Sequence, residues 1–351
     1  MRVVIADPPA YTPYYDHDLA TALAQRGTDV EVVTSRFRFA DLPAPEGYTR
    51  SEIFYPVSSR LFGRSRLRLP LKALEHPFGM RKLAKREADV VHVQWLSLPQ
   101  ADERLLKLAA PGVFTAHDLL PRRTASKVEL WRTLFKRFER IVVHSEHGRG
   151  RLEELGVDAS RLRVIPITIP ATEIAREDDG RTLLFFGVIR PYKGLGDAIE
   201  AVKHIDGARL LVAGDPAEPI DEYRERAGDR AEWRLGYLSD KEVRRALGQG
   251  TVALFPYRTE LDQSAALASA LGAGVPAVCY DVGGIAEPVK RFGAGRVVRA
   301  GDIAALAAAA QELLDDPTAL EEARAGTRRA CETLTWDASA AAHLDLYSEL
   351  V

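Results

Sequence analysis

Short runs of β-branched and other apolar residues recur along the chain, each followed by a longer stretch whose apolar positions fall three and four apart. The runs predict buried strands at 3–6, 30–34, 90–93, 113–116, 141–144 and 164–167, then at 183–186, 210–213, 252–255, 277–280 and 296–298. The longer stretches predict helices, among them 197–205, 239–247, 264–271, 303–314 and 317–334. Continuously apolar strands alternating with helices are what a parallel sheet covered on both faces requires, so each half of the chain is expected to form its own α/β sheet.

Between the halves, residues 165–182 lose this periodicity and turn charged, which marks a linker and a boundary near 171–180. The expected domains are 1–172 and 173–336. The tail 337–351 spaces Ala341, Leu344, Tyr347 and Leu350 three apart, a stripe that predicts a docked helix.

Composition narrows the class. With 351 residues, 46% hydrophobic and 28% charged, the chain can bury a large core and is unlike a disordered polymer. Its net charge of −2 argues against a nucleic-acid-binding protein. The charge is uneven: residues 1–172 hold 27 basic and 20 acidic groups, residues 173–351 hold 21 and 30. Only Cys279 and Cys331 are present, and MRVVIADPP lacks the apolar region of a signal peptide, so a reducing cytosolic location is expected. No run reaches the roughly 18 apolar residues of a spanning helix. The segment 58–87 interleaves nine basic residues with leucines and predicts either a solvated helix face or peripheral contact with an anionic membrane or a phosphorylated acceptor.

Two stretches concentrate candidate chemistry at strand ends, where doubly wound sheets bind ligands. In LLFFGVIRPYKGLGDAIEAV (183–202) a strand ends at Gly187, a loop presents Arg190 and Lys193, and a helix follows. A guanidinium, an ammonium and free helix N–H groups suit a diphosphate. The same loop reads equally as a solvated one whose cations pair with acids such as Asp197. In 255–289, Glu260 and Asp262 are candidate acceptors for sugar or ribose hydroxyls. Gln263, Ser264 and Ala265 open a helix that also carries Ser269, and Gly283-Gly284 precede Glu287. The glycine pair permits close approach to a ligand or simply turns the chain. His117, followed by Asp118, lies at the end of a predicted strand, whereas His92 reads as a satisfied strand histidine. His144 and Ser145 point to opposite faces if they lie on one strand. No residues have zinc-ligand spacing.

In order, FFGVIRPYKG, LLVAGDP, RLGYLSDKEV, ALFPYR, ALGAGVPAV and VGGIAE resemble the nucleotide-binding domain of the family 4 retaining glycosyltransferases. TAHDLLP (115–121), VVHSEHGRGRLEELGV (142–157) and TWDASAAAHLDLYSEL (335–350) are similar to blocks elsewhere in that family. The resemblance implies a GT-B fold: two Rossmann-like domains with parallel sheets facing across a cleft, and a C-terminal helix crossing back to the first domain. It implies that a nucleotide diphosphate sugar is held by the second domain, without a metal or other cofactor. The sugar passes with retention to a hydroxyl acceptor (glycan, glycolipid or natural product) on the first.

By the same resemblance Arg190 and Lys193 neutralise the diphosphate and His117 hydrogen-bonds near the transferred sugar. Gly187, Glu260, Asp262, Gln263, Ser264, Ala265, Ser269 and Glu287 bind the donor. The family's paired glutamates are replaced here by Leu261 and Ser269, and its glycine pair after the first strand by PPAYTPYYD (8–16). Tyr11, Tyr14, Tyr15 and Asp118 are therefore assigned to the acceptor. The rival readings are an epimerase or hydrolase of the same fold and a sugar-nucleotide-binding subunit without turnover. An NAD(P) oxidoreductase is disfavoured because Asp7-Pro8-Pro9 stands where a Gly-x-Gly-x-x-Gly turn belongs.

Overall fold

The computed structural model describes residues 1–60, 68–121 and 123–351. Apolar runs form seven parallel strands in the first sheet: β1 (Arg2–Asp7), β2 (Asp29–Ser35), β3 (Thr49–Phe54), β4 (Val90–Val93), β5 (Gly112–Thr115), β6 (Arg140–Val143) and β7 (Leu162–Val164). A second sheet holds β8 (Thr182–Phe186), β9 (Arg209–Gly214), β10 (Ala231–Leu235), β11 (Val252–Phe255), β12 (Ala277–Tyr280) and β13 (Gly295–Val298). The orders are β3-β2-β1-β4-β5-β6-β7 and β10-β9-β8-β11-β12-β13. Both are doubly wound, with the chain reversing direction across the sheet at β1/β4 and at β8/β11, the two places where ligands are expected.

Strand periodicity splits the core of each sheet into two layers. Val3 and Ile5 pack with Leu19, Leu23 and Tyr347 on one face, while Val4 and Ala6 pack with Val91, Phe114 and Phe135 on the other. In the second sheet Leu183 and Phe185 join Ile199, Val212 and Leu306, whereas Leu184 joins Ala253, Phe255 and Leu271. Among the described residues no helix is long and apolar enough to cross a membrane.

The chain divides into Met1–Pro166 with Trp336–Val351, and Ile167–Thr335. The division falls at the start of the stretch read as a linker, ahead of the expected boundary at 171–180, because most of that stretch is tied to the second unit. The Thr172 and Glu177 N–H groups donate to the Gly272 and Gly248 carbonyls, and the Arg176 guanidinium donates to the Leu247 and Gly250 carbonyls.

The C-terminal helix Trp336–Ser348 packs on the first unit beside helix Pro13–Gln25, where Arg26 bridges Asp337 with two 2.8 Å bonds. Its buried side is not the expected stripe: it runs through Ala340, His343, Leu346 and Tyr347, with Leu344 half-buried. Hydrogen bonding makes the difference, since His343 Nδ1 donates to the Ser339 carbonyl and Tyr347 Oη meets His92 Nδ1 at 2.6 Å.

Two strands escape the sequence reading. β3 and β10 are the edges of their sheets, and their half-exposed sequences TRSEIF and AEWRL lack an apolar run. β7 ends earlier than expected because Pro166 has no N–H to continue the ladder. Of the basic segment 58–87, residues 61–67, which include Arg64 and Arg66, lie outside the described residues.

Candidate active site

In the second unit the loop after β8 is fixed on both sides. Gly187 and Ile189 donate to the Ala213 and Asp215 carbonyls, and the Ala217 N–H donates back to Ile189, so the loop extends the β9 pairing. Gly214 allows this approach, since a Cβ there would lie 2.1 Å from the Gly187 carbonyl oxygen. A short turn, Pro191–Lys193, then leads through Gly194 into helix Leu195–Lys203. Gly194 has φ +73°, and a Cβ on it would sit 2.0 Å from the Pro256 carbonyl oxygen, so this position demands glycine.

The loop presents its two cations differently. Arg190 is exposed, and its guanidinium makes no hydrogen bond or ion pair with any described residue. Lys193 is buried, its ammonium 5.5 Å from the centre of the Tyr257 ring and close against Gly187. Asp197, the acid that would neutralise this loop, is already committed. It accepts both arms of the Arg258 guanidinium, Nε at 3.1 Å, and the Tyr280 hydroxyl at 3.1 Å.

Opposite the loop stands helix Ala265–Gly272. Ser264 caps it by accepting from the Leu267 N–H, and Tyr257 Oη holds the Ser264 hydroxyl at 3.1 Å. The first-turn amides of Ala265 and Ala266 make no hydrogen bond to the described residues. A Cβ on Gly187 would lie 2.9 Å from Lys193 Nζ and 3.1 Å from Ala266 Cβ, so Gly187, Lys193 and the start of this helix converge. An ammonium beside unsatisfied helix N–H groups is an anion-binding arrangement.

Other expected donor residues are placed less directly. Asp262 is buried, and the Gln263 side-chain oxygen is buried without a partner. Glu260 is exposed, and Glu287 lies half-buried in helix Ala286–Phe292. The Ser269 hydroxyl donates to the Ala265 carbonyl of its own helix. Gly283 and Gly284 serve the protein's own backbone: the Gly284 N–H donates to the Leu261 carbonyl, and a Cβ on Gly283 would lie 2.4 Å from that oxygen.

In the first unit His117 follows β5 and is buried. Its ring stacks on Trp95 at 5.3 Å and meets the edge of Tyr15 at 4.9 Å. His117 Nδ1 lies 3.2 Å from His144 Nε2, and His144 Nδ1 donates to the Ile165 carbonyl. His117 Nε2 faces the Gln94 side-chain oxygen at 2.8 Å. Burial, followed by the nearby His144, His92 and His343, holds the His117 pKa well below the usual histidine range, so the ring is neutral.

Tyr15 is engaged by His117, His144 and Trp336. Tyr11 and Tyr14, 57% and 44% exposed, edge onto Trp95 and Phe37, and Asp118 is exposed. His92 is satisfied by Tyr347 and by Thr115 Oγ1, while Ser145 caps helix Glu146–Glu154.

Four features of these candidate sites were not legible in sequence: Tyr257, which joins Lys193 to Ser264; the Asp197–Arg258 pair; Gln94; and a buried carboxyl pair at the end of β1. Asp7 accepts from the Thr12 N–H, and apart from Asp7 neither Asp16 oxygen has a hydrogen-bond partner among the described residues. Burial raises the Asp7 pKa to about 6. Burial and then the neighbouring Asp7 raise that of Asp16 well above its ordinary value, so the two carboxyls share a proton. The only signal was the spacing of two acids around PPAYTPYY.

Residues 15–172 match the model for Glycosyltransferase Family 4, and residues 180–316 match that for Glycosyl transferases group 1. The chain belongs to these glycosyltransferases. A glycogen synthase of Mycobacterium tuberculosis (strain ATCC 25618 / H37Rv) is 32% identical over 173 residues, which is 47% of this chain and 42% of that protein. The match thus spans less than half of that relative's length. A phosphatidyl-myo-inositol mannosyltransferase of Mycobacterium leprae is 26% identical over 349 residues, covering 94% of this chain and 90% of the relative. Sucrose-phosphate synthase from Thermosynechococcus elongatus superposes with a TM-score of 0.81 at 19% identity, over 100% of this chain and 99% of that one. Anabaena HepE in complex with UDP-glucose superposes at 0.72 with 15% identity, over the full length of both. These likenesses give the glycosyltransferase chain the GT-B fold class, built from its two Rossmann-like sheets.

Proposed function

We propose that the protein is a retaining glycosyltransferase that moves a sugar from a nucleotide diphosphate donor to a hydroxyl acceptor, with the donor on the second unit and the acceptor on the first. One observation carries this reading: the Arg190 guanidinium stands unpaired among the described residues at the carboxyl end of the second sheet, while Arg258 and Tyr280 occupy the nearby acid Asp197. The loop therefore keeps its positive charge for a ligand. With Lys193 beside the first turn of helix Ala265–Gly272, it offers a diphosphate a bidentate guanidinium, an ammonium and backbone donors.

In this reading the bond between the anomeric carbon and the diphosphate oxygen breaks, and its electron pair leaves on the diphosphate. Arg190 and Lys193 stabilise the charge that develops there. The acceptor oxygen bonds to the anomeric carbon from the same face, and its proton passes to the departing phosphate oxygen. No side chain is assigned as nucleophile. His117 contributes a neutral ring near the sugar, a role its depressed pKa suits because it brings no competing charge.

The test is to incubate the protein with a panel of nucleotide sugars, with and without candidate acceptors, following nucleotide release and product mass. Release that requires an acceptor is expected. Release without one would replace this reading with a hydrolase, and binding without turnover with a carrier subunit. Arg190→Ala is expected to lower kcat at least ~10-fold, since a charge-assisted hydrogen bond is worth about 1.5–3 kcal/mol, with an unchanged melting temperature. A near-normal rate would remove the phosphate role of this residue.

A further inference from the structure

The first unit has a cationic cavity of its own at the outer half of its sheet. The segments that follow β1, β2 and β3 wall a cavity of about 390 Å³ and a recess of about 30 Å³, which share Arg36, Arg38 and Ser59. Carboxyl ends of parallel strands are where doubly wound sheets hold ligands. Among the described residues, Arg36, Arg38, Arg60 and Lys72 line these spaces against one acid, Asp41. Arg36 and Arg60 are exposed, and their guanidinium groups make no hydrogen bond or ion pair with any described residue.

The floor is rigidly built. Tyr55, buried and held at φ +53°, places its hydroxyl 2.7 Å from His76 Nδ1, and His76 Nε2 lies 2.5 Å from Asp102 Oδ1. That buried relay fixes the ring over which the Lys72 ammonium sits, 4.4 Å from its centre. The following turn is pinned by Glu75, whose carboxylate accepts from the Val57 and Ser58 N–H groups at 2.7 and 3.0 Å. Glu75 is thereby engaged with backbone, and the hydroxyls of Ser35 and Ser59 remain among the cations.

A concave site whose described lining carries four cations, one acid and three serines suits a compact dianion with several acceptor oxygens. An uncharged sugar would leave the Arg36 and Arg60 guanidiniums unanswered, and a carboxylate carries only half the charge of a phosphate monoester. We propose that this cavity binds the phosphoryl group of a phosphate monoester carried by the acceptor. The proposal rests on the transferase reading only in calling that ligand an acceptor.

Isothermal titration of the full chain with glucose 6-phosphate, with glucose as control, tests the soluble source. Sedimentation with phosphatidylcholine vesicles, with and without phosphatidic acid, tests the lipid source. The expected result is saturable binding in one arm, absent with glucose or plain vesicles, and weakened at least ~10-fold in the Arg36→Gln/Arg60→Gln double variant. Arg190→Ala, which alters the second unit, is expected to keep that affinity within about twofold, since its charge lies outside this cavity. Failure of both arms, or wild-type affinity in the double variant, overturns the proposal. Monoester binding without any sugar transfer keeps this site and removes the transferase reading. Transfer to unphosphorylated acceptors without monoester binding does the reverse.

Discussion

At the scale of single residues, function here depends on which charges are already committed. Arg190 and Arg258 are both exposed arginines on loops beyond the second sheet, yet only Arg258 is bound to Asp197. Asp7 and Asp16 show the opposite condition, two acids buried together with too few donors. A carboxyl whose folded pKa is raised costs stability above that pKa and loses the cost as the pH falls, so the pair strains the fold at neutral pH. Asp16→Asn keeps a donor for Asp7 and removes the shared charge. It is expected to raise the melting temperature by about a few degrees at pH 7.5, with the gain shrinking toward pH 5. A loss at pH 7.5, or a gain that does not vary with pH, would show that the carboxyl pair is not under strain. Gly194 is the other residue whose chemistry is its backbone. Gly194→Ala is expected to cost about 2 kcal/mol or more in urea unfolding, because it combines positive φ with a clash against Pro256.

At the scale of elements, strands and helices with strong apolar periodicity are where the sequence predicts them, from β1 to helix Pro317–Thr333. The exceptions share a cause. β3 and β10 bury too little to carry an apolar run, and the C-terminal helix hides a histidine and a tyrosine on its inner face. Such residues are buried only because specific partners satisfy them, and periodicity does not report partners. Tyr347→Phe would leave His92 Nδ1 buried without its hydroxyl, and is expected to cost about 1–3 kcal/mol by denaturant titration. An unchanged midpoint would mean that the His92 contact does not hold this helix. The anion loop shows the same limit: RPYKG was visible as a motif, whereas its attachment through Tyr257, and the loss of Asp197 to Arg258, came from residues 64 and 61 positions away in sequence.

At the scale of the whole molecule, the first unit encloses a set of neutral histidines. Burial, and then neighbouring histidines, depress the pKa of His92, His117 and His343, the last to about 4. A histidine with a lowered folded pKa contributes its full stability above about pH 6.5, and that contribution is lost as the pH falls toward the folded value. The Asp7–Asp16 pair works against this, gaining stability on acidification, but it holds two titrating groups against three. The net expectation is a denaturation midpoint that falls between pH 6.5 and 4, more steeply in His343-containing protein than in His343→Leu. Parallel slopes would show that His343 is not a source of the acid sensitivity. What the sequence determined by itself was the alternation of strand and helix, two sheets, and the loops that carry cations, because apolar periodicity and local cation spacing are properties of neighbouring residues. The tertiary structure decided which cations stay unpaired, which acids share a proton, and which unit the last helix joins, because each is a competition among groups that only folding brings within reach.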